Sequence, residues 1–445
     1  MATTKEHDHL GGIELEAEFE REPVPPAHRK SLRTVAAVWF GFPMILTCAV
    51  FGGVLSALMG FQRAVLAIVV GNLVLFCYVG ALSYFAGRTG RNFALQAKHV
   101  FGDLGYLLAA GFLSTIVIGW FAFNSGLTGA TMKETFGWTE WLVTLLACIG
   151  FVLITFIGVR ALAVLGLIAA PLFLVVAIIA LIIASKTVTL SSLWNYKGVT
   201  SNPGAFSLGA GITLVVATFA DSGTMTADFT RWAKDGRQAV LASATAFPLG
   251  NFLAFIAGAI VVAMGAISNP ATAGGNFVVL LAKGHGSVLT VLAVLFVFIS
   301  LGSVSSHCLY NGAVGWSNLL HTRMRVMCII LGVIGTIAAT AGVWSHFLSW
   351  LNILGVFVPP IGGVIIAHQI LAAVKPERAL ETLAVRPIAF MAYACGAAVA
   401  GVLHYLAPQG AEALAGMVIG AAAFVGLTLA MRRSPVASVP GVQIK

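Results

Sequence analysis

Charge is scarce in this chain. Asp, Glu, Lys and Arg make up 9% of its 445 residues, against 59% apolar residues. A soluble domain carries about 25% charged residues, so no water-soluble fold can cover this much apolar surface. Cysteine is scarce too. The six present (Cys48, Cys77, Cys148, Cys308, Cys328 and Cys395) fall in or beside apolar runs and form no CxxC pair. They read as small apolar side chains, not as a disulfide or zinc framework. Metal-ligand spacing, a phosphate loop and a nucleophile elbow are all missing, which argues against an ATP-driven pump and against a membrane enzyme. The first 33 residues are polar and have no apolar h-region. They are expected to form a mobile cytoplasmic tail rather than a signal peptide.

Long apolar runs are what the chain has in abundance. About 20 apolar residues span the hydrocarbon core as a helix. Runs of that kind lie near 35–59, 64–86, 105–129, 139–158, 161–184, 205–230, 239–266, 287–317, 325–344, 346–372, 386–406 and 413–431. Helices are expected because unpaired backbone groups are costly in lipid, and the runs are too long for barrel strands. The fold class read from this pattern is all-α integral membrane, with twelve spans.

A net charge of +9 invites a nucleic-acid partner, but its distribution argues against one. With both termini cytoplasmic, twelve spans place 20 of the 25 Lys and Arg residues inside, leaving Arg63, Lys133, Lys186, Lys197 and Lys283 outside. The positive-inside rule demands such an asymmetry. One missed helix would scramble it. Arg160, between spans 4 and 5, reads as a topology anchor. The expected location is a bacterial inner membrane.

Two spans are interrupted. Span 1 contains Phe40-Gly41-Phe42-Pro43, and span 6 contains Thr218-Phe219-Ala220-Asp221-Ser222-Gly223-Thr224. Proline removes a backbone donor, and glycine tolerates unwound backbone. The two spans are five apart, and an odd spacing reverses direction across the membrane. Paired broken helices in two inverted halves point to the binding site of a secondary transporter. The organisation expected is a tail over 1–33, a five-helix repeat over 34–184, its inverted copy over 205–372, two further spans over 386–431 and a C-terminal tail over 432–445. Such a repeat builds a complete site in one chain, consistent with a monomer.

Asp221 is the most informative residue. A carboxylate at mid-membrane costs about 2.5–3.5 kcal/mol on insertion scales and normally faces a cavity or a partner. It reads as a substrate-contacting or proton-carrying acid, as a cap for amides freed at the break, or as both. Trp120 and Asn124 on span 3 are four apart and share a helix face. An aromatic plate beside an amide suits a flat nitrogen heterocycle, with Phe219 as the opposite plate. Ser300, Ser303, Ser305, Ser306 and His307 cluster on span 8. Their hydroxyls either help coordinate a cation beside the span 1 break or bond back to their own helix. Asp228 and Arg231 read as a local ion pair or cap at the inner end of span 6. His307 and His368 receive no role.

The strings Gly119-Trp120-Phe121, Phe219 with Ser222 through Arg231, Leu309-Tyr310, and Val358 through Ala367, with Pro23-Val24-Pro25 and Arg29-Lys30 ahead of span 1, resemble the nucleobase:cation symporter-1 family, in particular its cytosine permease-like members. The resemblance covers roughly residues 23–430. It implies a LeuT-type fold of 5+5 inverted repeats plus two extra helices. It implies a substrate ring sandwiched by Trp120 and Phe219, contacted by Asn124, Asp221, Ser222 and Ser300. The polar position at Asp221 is a serine in cytosine permeases, so this chain departs there. A sodium-coupled member would bind Na⁺ between span 1 carbonyls, here Gly41 and Ile45, and span 8 side chains, here Ser300, Ser303 and Val304. Sodium-dependent cytosine permeases carry an asparagine and two threonines at the last three. Val304 offers no side-chain oxygen, so proton coupling through Asp221 competes with sodium. His368 replaces a family aspartate. The expected function is import of a nucleobase with H⁺ or Na⁺ by alternating access and without a cofactor. Alternatives are a hydroxymethylpyrimidine-like vitamin precursor, allantoin or a hydantoin, or a guanidine-like cation on the same fold, and more remotely a channel.

Overall fold

The computed structural model describes residues 9–10, 13–14 and 17–430, apart from 186–189, 200–205, 283–285, 343–344, 346, 375–383 and 408. The C-terminal tail expected over 432–445 therefore lies outside the described residues. So do Lys5, Lys186, Lys283, Lys375, Arg378, Arg432, Arg433 and Lys445 of the charge count.

Each of the twelve apolar runs holds helix. Among the described residues nine helices are long and apolar enough to cross a membrane. They are Phe61–Thr89 (span 2), Tyr106–Phe136 (span 3), Glu140–Ile157 (span 4), Val159–Ser185 (span 5), Gly236–Ala263 (span 7), Gly286–Leu319 (span 8), Ile353–Val374 (span 10), Pro387–Leu406 (span 11) and Glu412–Ala430 (span 12). The pair Leu32–Gly41 and Leu46–Met59 makes a tenth, span 1, bent by 50°. Two shorter apolar helices, Leu208–Ala217 and Met324–Thr340, begin span 6 and form span 9. The outward faces are greasy: Leu153, Ile182 and Ile337 are 63%, 57% and 64% exposed. Such faces belong in lipid, whereas the bundle interior is filled by a continuous core.

Local chemistry sets the helix ends. The hydroxyl of Ser31 accepts from Thr34 N–H to start span 1, and Ser207 does the same for Ala210 at span 6. Gly90 ends span 2 in the left-handed region (φ 73°), where a side chain would be strained. The break in span 1 follows from Pro43, which has no N–H to donate, and from Ile45, which is extended (φ −134°, ψ 155°). In span 6 Phe219 leaves the helix (φ −132°, ψ 18°), and the chain resumes in two short helices, Ala220–Thr224 and Ala227–Thr230.

The helices sort into two packed bodies. Spans 1, 2, 6 and 7 pack on one another, and spans 3, 4, 8 and 9 pack on one another. Span 5 touches both, through span 1 and span 8. Its approach to span 1 is backbone to backbone: a Cβ on Gly41 would collide with Gly166. Spans 10, 11 and 12 form a third cluster beside the first body.

The amino-terminal tail does not behave as expected. Its stretch over residues 17–30 is not free: Glu18 and Val24 are buried, and Lys30 pairs with Ala233. Uncapped amides and carbonyls at the neighbouring helix ends need partners, and the tail supplies them.

Candidate functional site

Both fractures face the same interior point. Span 1 unwinds over residues 42–45 and frees the Gly41 carbonyl and the Leu46 N–H. Span 8 answers both. The Ser303 hydroxyl donates to Gly41 O at 3.0 Å, and the Ser300 hydroxyl accepts from Leu46 N–H at 2.8 Å. A buried unpaired backbone group costs about 1–3 kcal/mol, so these two serines offset the cost of the break. One turn further on, His307 Nδ1–H donates to the Ser303 carbonyl at 2.6 Å. Its ring stacks on Phe42 at 4.7 Å.

Span 6 supplies the other wall. Asp221 is fully buried, and its Oδ1 accepts from Ser222 N–H at 2.7 Å. The Trp120 indole hydrogen-bonds the same carboxylate loosely, while Oδ2 keeps no partner at full hydrogen-bonding geometry. The capping and cavity-facing readings of Asp221 thus coexist in one side chain. Below it, the hydroxyls of Tyr78 and Thr224 share a hydrogen bond of 2.5 Å, tying span 6 to span 2.

The cavity between the fractures is lined by Phe42, Ile45, Trp120, Thr218, Phe219, Ser222, Val304 and Cys308. Its volume is about 10 Å³, room for one water. Trp120 and Phe219 are 3% and 2% exposed, so both rings lie inside the bundle. Phe42 packs edge-on against Phe219 at 5.3 Å and takes up space a ring would need.

Of the residues singled out in the sequence, Trp120, Phe219, Ser222 and Ile45 meet at this cavity. Asp221 lies directly behind it, against Trp120. Gly41, Ser300 and Ser303 meet at the adjoining span 1–span 8 seam. Asn124 is turned away from the cavity. Its Oδ1 accepts from the Thr47 hydroxyl at 2.5 Å, and its Nδ2 donates to Trp120 O at 2.8 Å. Phe42, Thr218 and Cys308 line the cavity without having been singled out. Cys308 was legible in principle, since Ser300, Val304 and Cys308 repeat at i, i+4, i+8 along the face of span 8 that meets the fractures.

Asp228 and His368 each find a partner in another element. Asp228 caps a neighbouring helix, accepting from Phe93 N–H at 2.9 Å at the start of Phe93–Phe101, and Arg231 reaches the tail. His368 is buried on span 10, where Arg386 of span 11 donates to its Nε2 at 3.2 Å.

A sequence model of the family described as permeases for cytosine/purines, uracil, thiamine and allantoin matches residues 23–423. The chain belongs to this family. The permease is also 29% identical to the cytosine permeases of Escherichia coli K12 and of Escherichia coli O157:H7, over 96% of its own length and 97% of theirs. Its fold resembles that of Mhp1, a nucleobase-cation-symport-1 family transporter solved closed with bromovinylhydantoin bound. The TM-score is 0.74 and the identity 20%, covering 92% of the permease and 94% of Mhp1. A Na⁺-coupled sialic acid symporter, captured outward-open, has the same fold at TM-score 0.66 and 12% identity, covering 94% and 92% of the two chains. The permease is an integral membrane transporter of the LeuT-like, inverted-repeat kind, and it is not an enzyme.

As a site for a hard cation, the seam of spans 1 and 8 fits poorly. Such ions want several free oxygens. Here the Ser303 hydroxyl points its hydrogen at the Gly41 carbonyl, Ser300 holds Leu46 N–H, and Val304 brings no side-chain oxygen.

Proposed function

We propose that the permease imports a nucleobase of the cytosine or purine class across the bacterial inner membrane, coupled to protons, with both termini cytoplasmic and one chain as the working unit. The observation that carries the reading is the meeting of Trp120 and Phe219 on one cavity at the joint fracture of spans 1 and 6, with the Asp221 carboxylate at the Trp120 indole. Two aromatic walls hold a flat heterocycle, and a carboxylate accepts from the ring's N–H donors. Ring entry displaces Phe42 and widens the cavity. Asn124 meets the ring edge by giving up Thr47. Ser222 lines the same cavity, and Ser300 would reach the ring only by giving up Leu46 N–H.

Proton coupling is favoured over sodium because Ser300 and Ser303 are already engaged with Leu46 and Gly41. Sodium binding at Gly41, Ile45, Ser300 and Ser303 would have to share oxygens already engaged in these two bonds. Asp221 is the proton carrier. A buried carboxylate can move across a transport cycle more easily neutral than charged.

The test is radiolabelled cytosine and adenine uptake in a strain without its own base transporters, with and without a sodium gradient. Uptake driven by a pH gradient alone is expected. No concentrative uptake of any base, with the protein present in the membrane, rejects the proposal.

The anionic Asp221 supports a second reading, in which the ligand is a cationic amidine or guanidine, or a vitamin-precursor pyrimidine. Thermal-shift screening of the purified permease against bases and against such ligands separates the two.

A further inference from the structure

The inner face of the permease is crossed by its own tail. Residues 24–30 are tied to the first body. Val24 N–H donates to Gly90 O at 2.9 Å, at the end of span 2. Arg29 Nη1 donates to Gly87 O and to Ala233 O, each at 2.7 Å, and Lys30 N–H donates to Trp232 O at 2.6 Å. Residues 18–20 are tied to the second. Tyr310 of span 8 donates to Glu18 Oε2 at 2.7 Å, and Asn318 Nδ2 of the same span donates to Glu20 O at 2.8 Å. Met324 N–H, at the start of span 9, donates to Glu20 Oε1 at 2.9 Å. Val159 N–H, at the first turn of span 5, donates to Glu18 Oε1 at 3.1 Å.

Arg231, at the exit of span 6, completes the closure. It reaches across from the first body and donates to Glu18 O at 2.7 Å and to Phe19 O at 2.6 Å. Span 8 and span 5 thus meet at the Glu18 carboxylate, and span 6 holds the backbone carbonyls of Glu18 and Phe19.

We propose that residues 18–30 form a strap that bolts the two helix bodies together at the inner face, and that Glu18 is a positioning residue for transport whose release from Tyr310 and Val159 permits inward opening. The proposal rests on alternating access but not on the identity of the substrate or the coupling ion.

If the second body swings away from the first at this face, Arg231 and Arg29 hold the strap to one side while Tyr310, Asn318 and Met324 hold it to the other. Both sets of bonds cannot survive. The set that yields is the one built on Glu18, because it sits farthest from the covalent root of the strap at span 1. Burial also keeps that bolt weak. Glu18 is 3% exposed, and its proton affinity is raised by desolvation despite Tyr310 and Arg231. A fully buried carboxylate without a dedicated salt-bridge partner is poorly compensated. A merely structural anchor has no reason to bridge parts that move relative to one another.

Cys308 provides the readout. It lines the central cavity and is 1% exposed, so a reagent at the inner face reaches it only when that face opens. Inside-out vesicles carrying the full-length permease, E18A or Y310F are treated with a membrane-impermeant maleimide, and modification of Cys308 is read by mass spectrometry. Loss of a hydrogen bond to a charged group is expected to raise the labelling rate about tenfold in each variant, with a fall in labelling from the opposite face in right-side-out vesicles. Labelling is counted per folded molecule, by thermal melting, and Y310F loses only a hydroxyl, so it decides the matter if E18A does not fold. Unchanged labelling from both faces in folded Y310F overturns the strap. The assay needs no substrate, so a failure of nucleobase uptake leaves its outcome independent.

Discussion

The Ser303 hydroxyl donates to the Gly41 carbonyl across 3.0 Å, and this bond closes span 8 onto the broken end of span 1. In the sodium-coupled cytosine permeases that the sequence resembles, matching groups would face an ion. Here span 1 and span 8 of the one chain bond each other directly.

The first prediction concerns that seam. Replacing choline by sodium is expected to leave the melting temperature of the purified permease unchanged. The double substitution S300N/V304T replaces a hydroxyl by a longer amide oxygen and supplies the one missing at 304, and is expected to create a sodium-dependent rise, since a ligand that binds only the folded state stabilises it. Ser303→Ala, which leaves Gly41 O unpaired, is expected to cost about 1–3 kcal/mol. A sodium-induced rise in the unmodified permease would reverse the assignment of the coupling ion.

Asp221→Asn keeps an oxygen for the Ser222 N–H but removes the charge. If Asp221 carries the proton, concentrative uptake is expected to vanish while substrate exchange across the membrane persists. Exchange and accumulation, measured in the same proteoliposomes, separate the roles. Retained pH-driven accumulation in the variant would place the proton elsewhere.

Stacking is tested at the walls. Base–aromatic stacking is worth about 1–3 kcal/mol by alanine substitution, so Phe219→Ala is expected to weaken substrate binding by roughly 5- to 150-fold. Trp120→Leu, chosen to limit the void left in the core, is expected to fall in the same range. Equilibrium binding of a labelled base measures both. Loss confined to protein stability would leave the rings as packing only.

The strap carries a pH dependence. Burial raises the Glu18 pKa above the ordinary value of 4.5, with Tyr310, Arg231 and Val159 N–H opposing and Glu20 adding to the rise. Arg21, Glu22, Arg323 and Arg325 stand around the same opening. The bolted state therefore holds the Glu18 proton more tightly than the released state. Its contribution is full below about 4.5 and is lost as pH climbs through the raised value. Hydrogen exchange at the amides of residues 17–24, corrected for intrinsic pH effects, is expected to quicken as pH rises from that point. Slower exchange with rising pH would contradict this sign.

Asn124 shows where sequence reading reaches its end. Its spacing from Trp120 correctly placed both on one face of span 3, because that spacing is a property of a single helix. Its bond to Thr47 joins span 3 to span 1, 77 residues apart, and no local rule encodes it. Cys308 was within reach of the same helical arithmetic, but only a known facing partner would have singled it out. The tail was misread for a related reason. Polar composition without apolar periodicity describes a segment unable to fold by itself, and Glu18 is ordered by groups supplied by spans 5, 6 and 8.

Composition and period determined the membrane class, the positions of the apolar helices and the two points of fracture. These depend on one segment at a time against lipid, where an unpaired backbone group or a charge carries its cost regardless of its neighbours. Tertiary structure alone decided what each loose end meets: serine hydroxyls at Gly41 and Leu46, an indole at Asp221, a phenyl ring filling the cavity, and a tail across the inner face. Hydrogen bonds of a few ångströms between distant segments select those partners, and only the packed bundle brings them within range.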